Sequence, residues 1–167
     1  MLIAPTEPLP IKRLGQVSSV PERHGVDVLW VANGSKHGIQ RKEIKDFVAS
    51  VNDGRLAKEV AQIRQVNGVR ALVLEGKFVW STEGMWMGPT RWDRYRHRQA
   101  LFTLQSEGLW IVPTDSLADT CEAIVELEKW TRKSRHSFAK TRGRVASSWG
   151  TPSSREFGCH LLQGLPN

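Results

Sequence analysis

Gly38-Ile39-Gln40-Arg41-Lys42-Glu43-Ile44-Lys45-Asp46-Phe47-Val48-Ala49-Ser50-Val51-Asn52-Asp53-Gly54 changes its period part-way along. Gly38 to Arg41 reads as a short extended strand, in which successive side chains take opposite faces. From Ile44 onward the apolar residues Ile44, Phe47, Val48 and Val51 fall at i, i+3, i+4 and i+7, which is a helix with one buried face. Asn52-Asp53-Gly54 ends that helix. Just upstream, Val26-Asp27-Val28-Leu29-Trp30-Val31 is β-branched and aromatic, bounded by Gly25 and by Asn33-Gly34. It reads as a strand against which Gly38–Arg41 pairs back.

Working outward, Met1 to Ala4 is a short apolar run closed by Pro5, a first strand. Ile11 to Val20 has loose helical spacing that Gly15 and Pro21 undermine. A second helix is predicted from Arg55 to about Gln65, with Leu56, Val60 and Ile63 as its stripe. Val69 to Leu74 is almost continuously apolar, as a strand covered on both faces would be. Lys77 to Gly88 reads as a loop or hairpin carrying Trp80 and Trp86. Thr90 with Asp93 resembles a capping box opening a helix that Gly108 closes. Leu109 to Val112 reads as another buried strand, with Trp30 and Trp110 as core tryptophans. Ser116 with Asp119 caps a last helix whose stripe is Leu117, Cys121, Ile124 and Leu127. Strands alternating with helices predict an α/β domain over residues 1–133. Residues 134–167, where Lys140, Arg142 and Arg144 alternate with Ser, Gly and Thr, read as a basic, flexible tail.

The 167 residues suit one domain with a real core. Lys and Arg number 24 against 17 Asp and Glu, a net +7 that favours polyanionic partners through counterion release. Two distant cysteines, Cys121 and Cys159, cannot make a disulfide framework or a thiolate zinc site. The first nine residues fit no signal peptide, and no stretch reaches the ~18 apolar residues of a membrane span. The expectation is a soluble, cytoplasmic protein with no membrane association. The five histidines show no ligand spacing on any one element and read as surface residues.

Phosphodiester hydrolysis at neutral pH needs a nucleophilic water and a way to absorb charge growing on the phosphate. A divalent ion held by acidic oxygens supplies both, and a nearby lysine can orient the water. An economical scaffold is a hairpin with one acid on the first strand and a second acid two residues before a lysine on the next, so that the last two share a face. Asp27 stands on the first strand here, and Gln40-Arg41-Lys42 on the second, with Gln40 where a carboxylate is expected. Taken on spacing alone, Asp27 is better read as a strand-edge acid facing water, and Arg41 and Lys42 as solvated charges beginning a helix.

The wider segment, Gly38 through Leu56, closely resembles the nuclease core of the XPF-type structure-specific endonucleases, within the PD-(D/E)xK superfamily. That family carries Gly-Asp, then Glu-Arg-Lys-x-x-x-Asp, then a helix ending in Asp/Asn-Gly-Arg-Leu. Ala71–Gly76, Arg98–Gln105 and Leu109–Leu117 resemble its later elements in matching order. Ser153–Pro166 resembles the approach to its tandem helix-hairpin-helix domain, which is expected to be absent because the chain ends where that domain would start. The resemblance implies a restriction-endonuclease-like α/β fold, a central mixed sheet flanked by helices. It also implies a Mg²⁺- or Mn²⁺-dependent endonuclease acting on branched, flapped or junction DNA.

Roles carry over position by position. Asp27 matches the Asp of Gly-Asp and is implied to be a metal ligand, although Val26 replaces the glycine. Gln40 replaces the metal-binding Glu, so a carbonyl oxygen without charge stands at the metal. Arg41 is implied to contact a phosphate, Lys42 to position the water, and Asp46 to orient Arg41 or Lys42. Of the family's Asp-x-Arg-Glu, Ala4-Pro5-Thr6-Glu7 keeps only Glu7, a substitute ligand. Glu43 could also compensate, but is better read as support for the first turn of the helix.

Arg55, Arg91, Arg94 and Arg98 are candidate DNA contacts, with Lys140 and Arg142 in the tail. Trp92 and Tyr95 could stack on bases, or could equally be core residues behind a basic helix face. The resemblance also implies a homodimer through the exposed part of the Thr90–Glu107 or Ser116–Lys133 helix. The chain reads as phage or prokaryotic. The competing reading is a silent DNA-binding or docking module, because Gln40 and Ala4 each remove a carboxylate. An RNA-binding or other basic protein rests on charge alone.

Overall fold

A two-residue turn decides the centre of the sheet. Asn33 (φ 49°) and Gly34 (φ 76°) both take left-handed backbone, which a tight hairpin with right-handed twist requires. In the computed structural model, which describes residues 1–134, this turn joins two strands of a mixed six-stranded sheet. The elements are β1 (Leu2–Ile3), α1 (Leu9–Lys12), β2 (Gln16–Val17), α2 (Val20–Arg23), β3 (Val28–Ala32) and β4 (Ser35–Glu43). They continue with α3 (Ile44–Asn52), α4 (Arg55–Ile63), β5 (Arg70–Glu75), α5 (Arg94–Ser106), β6 (Trp110–Thr114) and α6 (Leu117–Arg132). The strand order is β2-β1-β3-β4-β5-β6. The β1–β3 and β3–β4 pairs are antiparallel; β1–β2, β4–β5 and β5–β6 are parallel. Helices make the crossovers between the parallel strands, as such connections require.

Strand alternation separates two cores. Leu72 and Leu74 of β5 pack with Phe47 and Val48 of α3, Leu56, Val60 and Ile63 of α4, and Trp92 and Leu104. Ala71 and Val73 turn the other way and pack with Ile3, Ile11, Val28, Trp30, Ile39 and Ile124. The sheet is therefore covered by α3, α4 and α5 on one face and by α1 and α6 on the other. Trp30 donates from Nε1 to Thr131 Oγ1 at 2.8 Å, pinning the far end of α6.

Several expectations are corrected. The second hairpin strand runs nine residues rather than four, because β4 pairs with β3 over Ser35–Ile39 and then with β5 over Gly38–Glu43. The 11–20 segment is split by Gly15 into α1, β2 and the start of α2. The 90–93 capping box does not form: Asp93 is itself the cap, accepting from the Arg96 N–H at 2.7 Å, and α5 begins at Arg94. The expected buried strand at 109–112 is an edge strand, with Trp110 44% exposed and set edge-on against Trp130. His37 is buried, its ring tied to the Val69 N–H and the Ala32 carbonyl. The expectations placed on Lys140, Arg142 and Ser153–Pro166 lie outside the described residues.

Candidate active site

The site is built where β3 and β4 begin and end. Val28 is the register partner of Ile39, yet the Asp27 N–H also donates to the Ile39 carbonyl at 2.8 Å. Two residues facing one is a β-bulge, a device that re-aims a side chain. Asp27 thus precedes β3 instead of lying on it. Its carboxylate accepts from the Arg41 backbone N–H at 2.7 Å, replacing a ladder bond that the bulge removes.

The parallel register then sorts the neighbouring side chains. Gln40 faces Leu72 and Lys42 faces Leu74, so both look toward α3 and α4. Arg41 faces Val73 and looks toward α6. On the α4 side, Lys42 is buried and its Nζ lies 3.0 Å and 2.9 Å from the two carboxylate oxygens of Glu59. Gln40 and Glu59 line one small void with Gly25, Leu56 and Leu72. On the α6 side, Arg41 grips Glu75 with Nε at 2.8 Å and Nη2 at 2.6 Å. Thr120 gives its only proton to Glu75 at 2.7 Å, so in the 2.7 Å Thr114–Thr120 pair Thr114 is the donor. Burial pushes the Glu75 carboxyl up, but the bonds from Arg41 and Thr120 outweigh it and hold it below the usual carboxylate range.

Two acids are left short of compensating charge. Burial, then the charge of Asp27, pushes Glu7 up to about 7, against the pull of Arg41. Among the described residues Glu7 Oε2 has no hydrogen-bond partner, and the Arg41 Nη1 is 3.9 Å away. Burial likewise pushes Asp27 up to about 6, although the Arg41 N–H and the Lys42 charge pull it down. Strongly perturbed acids concentrate at functional sites.

Asp46 is exposed on the first turn of α3 and bonds neither Arg41 nor Lys42; its charge acts on Arg55 instead. Arg55 is exposed and holds Asp53 at 2.6 Å. Arg91, Arg94 and Arg98 are exposed around the start of α5. Arg94 and Arg98 line an open cleft of 320 Å³ with Trp80 and His97, and the Arg94 guanidinium lies 5.7 Å from the centre of a Trp80 ring. The alternatives for the aromatics divide: Trp92 is a core residue, whereas Tyr95 is 71% exposed.

Residues 5–127 match the ERCC4 domain family. This chain belongs to that family. It is an XPF-type nuclease domain, and its fold is similar to that of XPF from Aeropyrum pernix. That likeness covers 99% of this chain and 74% of the other at 22% identity, with a TM-score of 0.58. Against XPF from Aeropyrum pernix in complex with DNA the identity is 20% and the TM-score 0.48, over 99% and 73% of the two chains. No curated protein sequence matches the chain.

The family implies a divalent metal, and the donors present decide whether this ERCC4 domain fits one. Among the described residues no three His, Cys, Asp or Glu side chains are grouped to hold a metal ion. A hydrated hard cation needs only one or two carboxylates, with water and substrate phosphate completing its shell. Asp27, with the orphaned oxygen of Glu7 beside it, meets that requirement in chemistry and in unmet charge.

Glu59, Glu75 and Thr120 were missed as site residues. Glu59 had a signal: it lies three residues after Leu56 and four before Ile63, a carboxylate beside the buried stripe. Glu75 had a weaker one, an acid ending an apolar strand. Thr120 had none.

Proposed function

We propose that this ERCC4 domain is a divalent-metal-dependent endodeoxyribonuclease that cuts branched, flapped or junction DNA by water attack on a phosphodiester. The products are a 5′-phosphate and a 3′-hydroxyl. The observation that carries this reading is that, at one end of the β3–β4 hairpin, a half-buried and under-compensated acid, Asp27, lies within the field of a buried lysine, Lys42. Asp27, the Gln40 carbonyl and Glu7 would hold Mg²⁺ or Mn²⁺, which when bound acidifies a water and screens the phosphate. Lys42 holds that water by hydrogen bonding. Arg41 supports Asp27 through its backbone N–H and contacts phosphate once DNA is bound, and Asp46 orients the cation of Arg55 at the same rim.

Arg55, Arg91, Arg94 and Arg98 give a sequence-independent backbone contact, extended by Lys140 and Arg142. Replacing Arg94 and Arg98 with Ala lowers DNA affinity and reduces the slope of log K against log salt by about one per residue. An unchanged slope in fluorescence anisotropy would remove that face from the account. Exposed faces of α5 or α6 serve a homodimer, which light scattering checks.

The test of activity uses splayed-arm, flap and four-way-junction DNA, first in Mg²⁺ and then in Mn²⁺. Asp27→Asn and Lys42→Ala each lower cleavage by about 10²-fold or more. Cleavage that persists in both variants means that the activity resides elsewhere. A second reading, a DNA-binding module without catalysis, is favoured by the neutral amide of Gln40; binding without cleavage in either metal would establish it.

A further inference from the structure

We infer that Glu59 supplies, from α4, the carboxylate that β4 lacks at position 40. The inference rests on the nuclease reading above and adds to it a site residue on another element.

Gln40 and Glu59 wall the same small void between β4 and α4. The two residues therefore border one gap, Gln40 from the strand and Glu59 from the helix. Glu59 holds Lys42 through both carboxylate oxygens, at 3.0 and 2.9 Å, so it already touches the residue assigned to the water. Its charge also acts on Asp27, the principal acid of the site. Asp27, Lys42 and Glu59 thus form one electrostatic unit that Gln40 adjoins.

The placement of Glu59 is fixed by the helix. Leu56, Val60 and Ile63 are buried, and Glu59 lies on the same side of α4, three or four residues from two of them. It is not a free surface acid that happens to lie near a lysine: only 27% of its side chain is exposed, and Oε2 is buried without a hydrogen bond of good geometry among the described residues.

Charge balance explains why position 40 can then be an amide. Glutamate at both 40 and 59 would set three carboxylates, with Asp27, against the single ammonium of Lys42, in a partly buried volume where like charges repel strongly. Glutamine at 40 leaves, besides Glu7, two carboxylates and one carbonyl oxygen. That set matches a divalent ion that keeps part of its water. The acid has moved from the strand to the helix, and Gln40 adds a neutral ligand beside it.

The test is Mn²⁺ binding to the full chain without DNA, by calorimetry, for wild type, Asp27→Asn, Glu59→Gln, Gln40→Glu and the swap Gln40→Glu/Glu59→Gln. Thermal melts confirm that each variant is folded. Glu59→Gln is expected to weaken Mn²⁺ by about tenfold or more, and the swap to recover most of that loss. If Glu59→Gln fails to fold, recovery in the swap, compared with wild type, decides the question. Loss of binding in Asp27→Asn with none in Glu59→Gln overturns the role of Glu59 and leaves the nuclease reading standing. A swap that stays as weak as Glu59→Gln overturns the role of Glu59 as a substitute acid. No Mn²⁺ binding by the wild type, or full binding by Asp27→Asn, overturns both.

Discussion

Arg41 and Lys42 are neighbours in sequence and turn to opposite faces of β4, and this separates two jobs that a linear motif merges. Lys42 meets Glu59 on the α4 side, whereas Arg41 forms a two-pronged bond to Glu75 on the α6 side. Only 12% of the Arg41 side chain and 11% of Glu75 are exposed, so the pair is a structural brace whatever else Arg41 does. Removing one partner of a buried pair leaves the other charge stranded. Arg41→Ala should therefore cost on the order of 3 kcal/mol in urea denaturation. Arg41→Lys should recover little, because an ammonium cannot reproduce the planar fork. If Arg41 served phosphate alone, the urea midpoint of both variants would match the wild type, and the brace would be refuted.

At the scale of elements, the hairpin and the helix that follows it were legible because their signals are local. The turn residues at 33–34, the run of Val26–Val31, which forms β3 from Val28 on, and the period change at Ile44 all lie within a few residues of what they determine. The bulge at Asp27 was not legible, since a bulge is a mismatch between two strands and shows only when both are paired. The same holds for Arg41 and Glu75, which meet through parallel register across two helices, and for the exposure of Trp110, which depends on β6 having no strand beyond it among the described residues. Thr90 failed as a cap because Trp92 is drawn into the core against Phe47, which leaves Asp93 at the helix start. Close packing of Val26, which precedes β3, against Gly38 of β4 yields a second prediction. A Cβ added at Gly38 would stand 2.7 Å from Val26 Cγ1. Gly38→Ala is expected to cost about 1–3 kcal/mol through overpacking, and Val26→Ala in the same chain to restore most of it. A double variant no more stable than Gly38→Ala would show that the strain lies elsewhere.

For the whole molecule, the unmet charge of Glu7 and Asp27 ties folding to pH and to metal. Glu7 moves from 4.5 up to about 7, and Asp27 from 3.8 up to about 6, with burial the main cause in both. The folded state therefore binds these protons more tightly than the unfolded chain. Their contribution to stability is complete below about pH 4 and is lost as pH rises through 6 and then 7. A divalent ion that binds the ionised acids acts in the opposite sense, stabilising the folded state by mass action in that upper range. Without metal, stability should fall between pH 5 and 8, and millimolar Mn²⁺ should recover part of the fall at pH 8 and little at pH 5. The net +7 changes with pH as well, so the decisive comparison is with Glu7→Gln. That variant should show a shallower pH slope and, at pH 8 without metal, exceed the wild type by about 1–3 kcal/mol, since a tenfold difference in proton affinity between the folded and unfolded chain is worth about 1.4 kcal/mol. Parallel slopes for the two proteins would show that Glu7 does not carry the linkage. Equal Mn²⁺ stabilisation of wild type and Asp27→Asn at pH 8 would show that the ion binds away from the bulge.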